Sequence, residues 1–239
     1  MTYSDKEVAA LYGVLNPWSP SDDFYLSLVM EAAAVLDVGC GTGTLLHRAR
    51  SAGHAGRLCG VDPDSAMLEV ARGRSDIEWH AGTAASMAWF SEFDLAVMSG
   101  HAFQFLVEDD DLRASLAAIR DALTEGGRFA FETQNPLARA WEGWNPEHPI
   151  DVVDPAGRPV RISYEVEAVV GDVVTVTETA SDWDGAPLRV DRADLRFLDV
   201  DTLGALLSEA GFRIEAQYGD WSRAPLTRTS PEIITIARV

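Results

Sequence analysis

Two acids and three alternating glycines carry the first chemical signal. The apolar pair Val35-Leu36 runs into Asp37, and Val38 leads from it to Gly39, Gly41 and Gly43, separated by Cys40 and Thr42. Glycine at such positions permits positive φ and lets backbone N–H groups come close to a bound ligand. About 20 residues further on, Leu58-Cys59-Gly60-Val61 delivers Asp62. An acid at that point of a nucleotide-binding βαβ unit accepts hydrogen bonds from ribose hydroxyls. A third candidate is His101 in Ser99-Gly100-His101-Ala102-Phe103-Gln104-Phe105. Imidazole titrates near neutral pH, so it can remove a proton from an alcohol, phenol or ammonium group. The same ring is equally suited to contacting a cofactor or packing against the next helix.

These groups need a scaffold. Val35 to Val38 reads as a buried strand and Leu45 to Arg50 as the helix behind the glycine loop. Asp64 caps a helix over 65–72, Ile77 to His80 forms a short third strand, and Phe93 to Ser99 forms a fourth. A helix follows from about Asp110 to Leu123, then the turn Thr124-Glu125-Gly126-Gly127, then a fifth strand from Arg128 to Glu132. Such alternation predicts parallel strands with right-handed helical crossovers on both faces.

The alternation breaks after Asn135-Pro136. Residues 137–155, with Trp141 and Trp144, read as a loop or short helix. Segments 160–167 and 173–179 alternate with period two, are rich in β-branched residues and are joined by Gly171-Asp172, as antiparallel strands should be. Leu188 to Phe197 supplies another. Residues of about 137–197 therefore form an inserted β cover. A capped helix over 200–212 with glycine at its end and two strands, Phe212 to Tyr218 and Glu232 to Arg238, close the chain.

The run L-D-V-G-C-G-T-G followed by G-V-D-P-D-S-A-M-L closely resembles the class I S-adenosylmethionine-dependent methyltransferases. The alternating glycines differ from the G-x-G-x-x-G of dinucleotide folds. Leu123 to Gly127 resembles the family's L-x-P-G-G connection, with Glu125 in place of proline. The resemblance spans about 30–135 and 195–239. It implies a Rossmann-like α/β seven-stranded sheet with a C-terminal antiparallel hairpin, and the cover resembles that of glycine- and aminosugar-type small-molecule methyltransferases. The whole of 1–239 is then one methyltransferase domain. Its first 30 residues or so, with Tyr3, Tyr12, Trp18 and Tyr25, either form a lid over the cofactor or simply pack.

The resemblance also implies roles. S-adenosyl-L-methionine is the expected cofactor. Gly39, Gly41 and Gly43 give backbone access to its methionine part, and Asp37 helps fix the loop and the methionine amino group. Asp62 holds the ribose diol, while Pro63 and Met67 lie near adenine, with ordinary core packing as the other reading of Met67. Relatives place an acid after the third strand against the adenine amino group, but Gly82-Thr83-Ala84 stands there, so Thr83 is the candidate substitute. Ser99 lies beside the cofactor and His101 is the candidate catalytic base. Phe103, Gln104, Trp141 and Trp144 are candidate substrate contacts.

Composition narrows the partners. The 239 residues are 47% apolar, enough for a substantial core. Net charge is −19, with 38 acids against 19 Lys plus Arg and no basic run. Proteins that grip nucleic-acid phosphates carry the opposite sign, so nucleic acid is not an expected partner. No stretch has the apolar length of a membrane span. The start Met1 to Glu7 lacks the basic and apolar regions of a secretory signal, and two unpatterned cysteines fit free thiols in a reducing cytoplasm. Glu108-Asp109-Asp110-Asp111 precedes a helix, where acids serve as caps and favour the dipole, so no metal is expected. Asn135-Pro136 does not match the N-P-P-aromatic signature of amino-group methyltransferases, which follows the fourth strand.

The expected function is methyl transfer from S-adenosylmethionine to an O, N or C atom of a small molecule. A non-catalytic S-adenosylmethionine-binding protein is the alternative, and a nicotinamide-dependent oxidoreductase fits the glycine spacing less well. The oligomeric state is not legible.

Overall fold

Strand side chains point alternately to opposite faces, so a strand buried on both faces must lie between two helical layers. The structure, a computed structural model, describes residues 2–239, and its central strands β1 (Ala34–Val38), β2 (Arg57–Asp62) and β4 (Phe93–Met98) are buried almost throughout. With β3 (Glu78–Ala81), β5 (Leu123–Gln134), β10 (Arg213–Tyr218) and β11 (Glu232–Arg238) they form a seven-stranded sheet in the order β10-β11-β5-β4-β1-β2-β3. Neighbours from β3 to β5 run parallel, whereas β11 is antiparallel to both β5 and β10. The Rossmann-like sheet with its closing hairpin is thus as the sequence implies.

Two cores follow from the alternation. Leu36, Val38 and Met98 face α5 (Asp109–Ala122) and α6 (Val200–Glu209) through Leu112, Leu116 and Leu203. Val35, Leu95 and Val97 face α2 (Pro20–Glu31) and α3 (Thr44–Ser51) through Phe24, Leu28 and Leu46. Asp37 of β1 lies opposite Gly60 of β2 on one side and Val97 of β4 on the other. The connections leave β1 and β4 in opposite senses, so a crevice opens beyond their C-terminal ends, where open α/β sheets take ligands. After β2, Asp64 caps α4 (Ser65–Ala71) by accepting the Ala66 and Met67 amides.

The second sheet is antiparallel, in the order β6 (Ile150–Val153), β7 (Pro159–Val170), β8 (Val173–Ser181) and β9 (Pro187–Arg196). Helix α1 (Asp5–Leu15) is tied to this cover. Leu11 and Tyr3 pack on Val160, Ile162 and Ala180, the Tyr3 hydroxyl donates to Asp154 at 2.7 Å, and the Tyr3 amide donates to the Leu188 carbonyl at 2.8 Å. From there α1 reaches α4 beside the crevice.

Two elements differ from the sequence reading. β6 lies inside the expected loop because four residues are too few to show an alternation of their own. β5 starts at Leu123, not Arg128: Leu123 already pairs with Phe93, and the expected turn becomes an irregularity within the strand, with Gly126 at φ +74°.

Candidate functional site

The loop after β1 is held by β2. The Gly39 and Cys40 amides both donate to the Val61 carbonyl, at 2.8 and 3.0 Å. The Gly41 amide donates to Asp62 Oδ2 at 2.7 Å, and Asp62 Oδ1 accepts the Asp64 amide at 2.8 Å. Each carboxylate oxygen has two lone pairs, so Asp62 can still accept from a diol. Burial raises its pKa against the pull of those two amides.

Asp37 is the opposite case. It is 1% exposed and its Oδ1 has no hydrogen-bond partner among the described residues. Burial, then the charge of Asp62, pushes its pKa up to about 7. A buried carboxylate oxygen without a partner calls for a donor from elsewhere.

Two cavities meet over the loop and share Tyr12, Gly39, Gly41, Ser99 and Gly100. One, of about 430 Å³, is lined by Asp62, Pro63, Met67, Thr83, Met98 and Phe105. The other, of about 410 Å³, is lined by Asp37, Thr42, Thr44, His101, Glu132 and Trp221. Eight of the nine expected cofactor residues line one or both. Gly43 lies outside both linings. A Cβ there would fall 2.4 Å from Trp79, so this glycine lets α3 approach the sheet. A Cβ on Gly41, by contrast, would meet nothing within 4 Å.

His101 sits in the second cavity in the left-handed region, at φ +59°. Its amide donates to Glu132 Oε1 at 2.8 Å, and its Nε2 lies 3.0 Å from Glu232 Oε2. Burial disfavours the imidazolium, but the bond to Glu232 and the charges of Glu132 and Glu232 outweigh it and raise the pKa above 6.5. Glu132 is 1% exposed, also accepts from the Tyr25 hydroxyl, and has its pKa raised by burial. Sequence reasoning missed Glu132 and Glu232, whereas Tyr12 and Trp18, two of the aromatics expected over the cofactor or in packing, line the second cavity. Glu132 left a signal, since a lone acid ends the apolar run Phe129-Ala130-Phe131 at the ligand edge of the sheet.

The expected substrate contacts separate. Phe103 is buried and stacked on Phe131 with ring centroids 4.4 Å apart. Both ends of the Gln104 amide are taken by backbone groups, Nε2 on the Arg196 carbonyl and Oε1 on the Gln134 amide. Trp141 packs edge-on against Phe197. Trp144 lines a third cavity of about 680 Å³ on the cover, with Phe105, His148, Tyr164, Val176 and Glu178. Phe105 borders both this cavity and the one containing Asp62.

Other readings can be placed as well. Glu108 is the residue preceding α5 but makes no side-chain capping bond; Asp109, Asp110 and Asp111 fill the first turn, and Asp109 pairs with Arg113 and Arg196. Asn135 donates to the Ser230 carbonyl at 2.8 Å and caps Leu137, tying β5 to the approach of β11.

Residues 35–127 match the family described as a methyltransferase domain. The 2-phytyl-1,4-naphthoquinone methyltransferase of Thermosynechococcus vestitus is 30% identical over 162 residues, 65% of this chain and 70% of that one. The chain spans 43% and 41% of the length of two further curated methyltransferases that it matches. Among solved structures, an S-adenosylmethionine-dependent methyltransferase of Clostridium acetobutylicum superposes with a TM-score of 0.77 at 16% identity, covering 98% of each chain. An S-adenosylmethionine-bound amino pentose methyltransferase of Micromonospora echinaspora superposes with a TM-score of 0.71 at 24% identity, covering 100% of this chain and 98% of that one.

Proposed function

We propose that this chain, which belongs to the S-adenosylmethionine-dependent methyltransferases, methylates a small molecule whose body lies in the cavity under the β cover. The observation that carries this reading is the pair of cavities joined at Gly39, Gly41, Ser99 and Gly100, one ending at Asp62 and the other at the unpartnered Asp37 oxygen. An elongated cofactor with an adenosine, and so a ribose diol, towards one end and an ammonium group at the other fits both demands. When bound, its sulfonium supplies an electrophilic methyl group.

The chain's own residues supply alignment, which governs an in-line displacement. Asp62 holds the diol through its free lone pairs, and the open face of Gly41 admits close backbone approach. Pro63, Met67 and Thr83 flank the base, with Ser99 at the junction. Asp37 receives the ammonium group, and Gly43 acts through helix packing. Phe105 stands between the Asp62 cavity and the cover cavity, where the acceptor must approach. His101 is the candidate base: with Nε2–H directed at Glu232, the neutral ring keeps a lone pair on Nδ1 to accept a proton. Phe103, Gln104 and Trp141 shape the walls from behind, and Trp144 contacts the acceptor.

We read residues 1–239 as one domain, with α1 closing the crevice and the cover roofing the acceptor site. No helix among the described residues is long and apolar enough to cross a membrane. A cytoplasmic setting is supported by two buried free cysteines, and an acceptor other than nucleic acid by the charge of −19. The test is release of S-adenosylhomocysteine from S-adenosylmethionine across a metabolite library. Cofactor binding without turnover of any acceptor would favour a binding protein, and tight NAD binding with no response to the methyl donor would sink the assignment.

A further inference from the structure

The inner face of the cover is packed at both ends and open in the middle. At one end Ile162 and Ala180 are covered by Tyr3 and Leu11. At the other, Val166, Val174 and Leu195 are covered by Trp141 and Phe197. Between them the strand register sets Tyr164 beside Glu178 and Glu178 beside Asp191, and these residues line the cavity of about 680 Å³.

The three polar groups are not equivalent. Asp191 is held by Arg189, whose Nε lies 2.8 and 2.9 Å from its two oxygens. Tyr164 stands opposite Glu178 in the strand register, and burial, then the Glu178 carboxylate, raises its pKa and keeps the hydroxyl protonated. Glu178 itself has no ion-pair partner among the described residues, although burial raises its pKa, against the pull of Tyr164. A carboxylate in an apolar cavity without a cation is destabilised until one is brought to it. Arg192 at the rim is engaged by Glu167 at 2.8 Å, Asn145 and His148 add polar edges, and Trp144, Phe105 and Val176 suit the apolar or aromatic flank of such a ligand, since aromatic faces also attract cations.

We propose that Glu178, paired across the strands with Tyr164, anchors a cationic group of the methyl acceptor, an ammonium or guanidinium carried on an apolar or aromatic body. A protonated ammonium has no lone pair and cannot be the atom that attacks the methyl group. The anchored cation and the methylated atom are therefore different groups of one bifunctional acceptor. The inference rests on the reading of the cover cavity as the acceptor site, but it assigns the chemistry of the anchor independently of the cofactor.

Matched probes test it. Phenethylamine and 2-phenylethanol differ in charge at one position, and ligand-observed saturation-transfer NMR reads millimolar binding of each to the full chain. The amine should bind at least about tenfold more tightly than the alcohol, the scale expected for a hydrogen bond to a charged group. Glu178→Gln, which keeps the shape and removes the charge, should bring the two probes level, and Tyr164→Phe should reduce the preference. S-adenosylhomocysteine affinity should be unchanged in Glu178→Gln, because Glu178 lines neither cavity over the glycine loop; retained affinity also shows that the variant folds. Equal binding of the two probes to the parent, no detectable amine binding, or an undiminished preference in Glu178→Gln overturns the proposal. Failure to bind S-adenosylhomocysteine would count against the cofactor reading alone, since the probe measurement is repeated on the cofactor-free protein.

Discussion

The Asp62 carboxylate accepts the Gly41 amide at 2.7 Å, so the acid that ends β2 also fixes the loop that follows β1. Removing the side chain therefore has two consequences. Asp62→Ala deletes the acceptors for a ribose diol and frees the loop at the point where both cavities meet. Calorimetry should show S-adenosylmethionine binding weakened by about 1.5–3 kcal/mol, the scale of charge-assisted hydrogen bonds. Undiminished affinity would mean that the diol is held elsewhere.

If Asp37 receives the cofactor's ammonium group, cofactor affinity depends on pH. Its pKa is raised from 3.8 to about 7. Below that value the carboxyl is neutral and a poor partner for an ammonium group; above it the ion is present without a partner in the cofactor-free protein. Affinity for S-adenosylmethionine should thus rise with pH through about 7. Stability moves the other way. The folded pKa lies above the unfolded one, so this group's contribution is full below 3.8 and is lost as pH rises to about 7. The melting-temperature increase on adding cofactor should accordingly be larger at pH 8 than at pH 6. Asp37→Asn should flatten both dependences, and a variant that keeps them would place the titration on another group.

These two acids also show what was legible in the sequence and what was not. Asp37 lies near the end of β1 just before the glycine loop and Asp62 ends β2 about 20 residues further on, so spacing along the chain located them. The sheet was readable for the same reason, because strand and helix periodicities alternate cleanly through β5. Glu232 meets the His101 ring from 131 residues further along the chain, and no local pattern records such a meeting. Phe103 and Gln104 carried the opposite hazard. They stand in the right segment, yet the short helical turn Ala102–Phe105 points them into the interior and leaves Phe105 exposed. Trp141 and Trp144 are separated by one such turn as well: one closes the end of the cover and the other lines its cavity.

The His101–Glu232 contact yields a kinetic expectation. If the imidazole takes the acceptor's proton, His101→Ala should cut turnover by about 10²–10⁴ while leaving S-adenosylhomocysteine affinity within a small factor. Because the carboxylates raise the ring's pKa above 6.5, the protonated ring must first lose its proton, and parental activity should rise with pH through a midpoint above that value. Glu232→Gln should move the midpoint down. Parental turnover in His101→Ala would assign the ring to positioning, and loss of cofactor affinity would assign it to the donor site.

Gly41 and Gly43 have similar backbones but different neighbours, so alanine should separate stability from binding. Both lie in the left-handed region, at φ +53° and +73°, and each substitution costs about 1–3 kcal/mol of backbone strain. At Gly43 the new Cβ also falls 2.4 Å from Trp79, whose ring nitrogen is held by the Arg74 carbonyl and whose ring fills the space beneath α3. Overpacking of that kind adds about 1–3 kcal/mol, so Gly43→Ala should melt well below the parent and below Gly41→Ala. At Gly41 the Cβ enters open space inside the two joined cavities, so this variant should fold, melt only modestly lower and lose most of its affinity for S-adenosylmethionine. Thermal melting in the absence of cofactor and calorimetric titration at a temperature where both variants are folded read the two effects separately. If Gly43→Ala were as stable as Gly41→Ala, the close approach of Trp79 would not be what requires glycine there, and if Gly41→Ala bound cofactor as the parent does, the open face of the loop would not be where the cofactor lies.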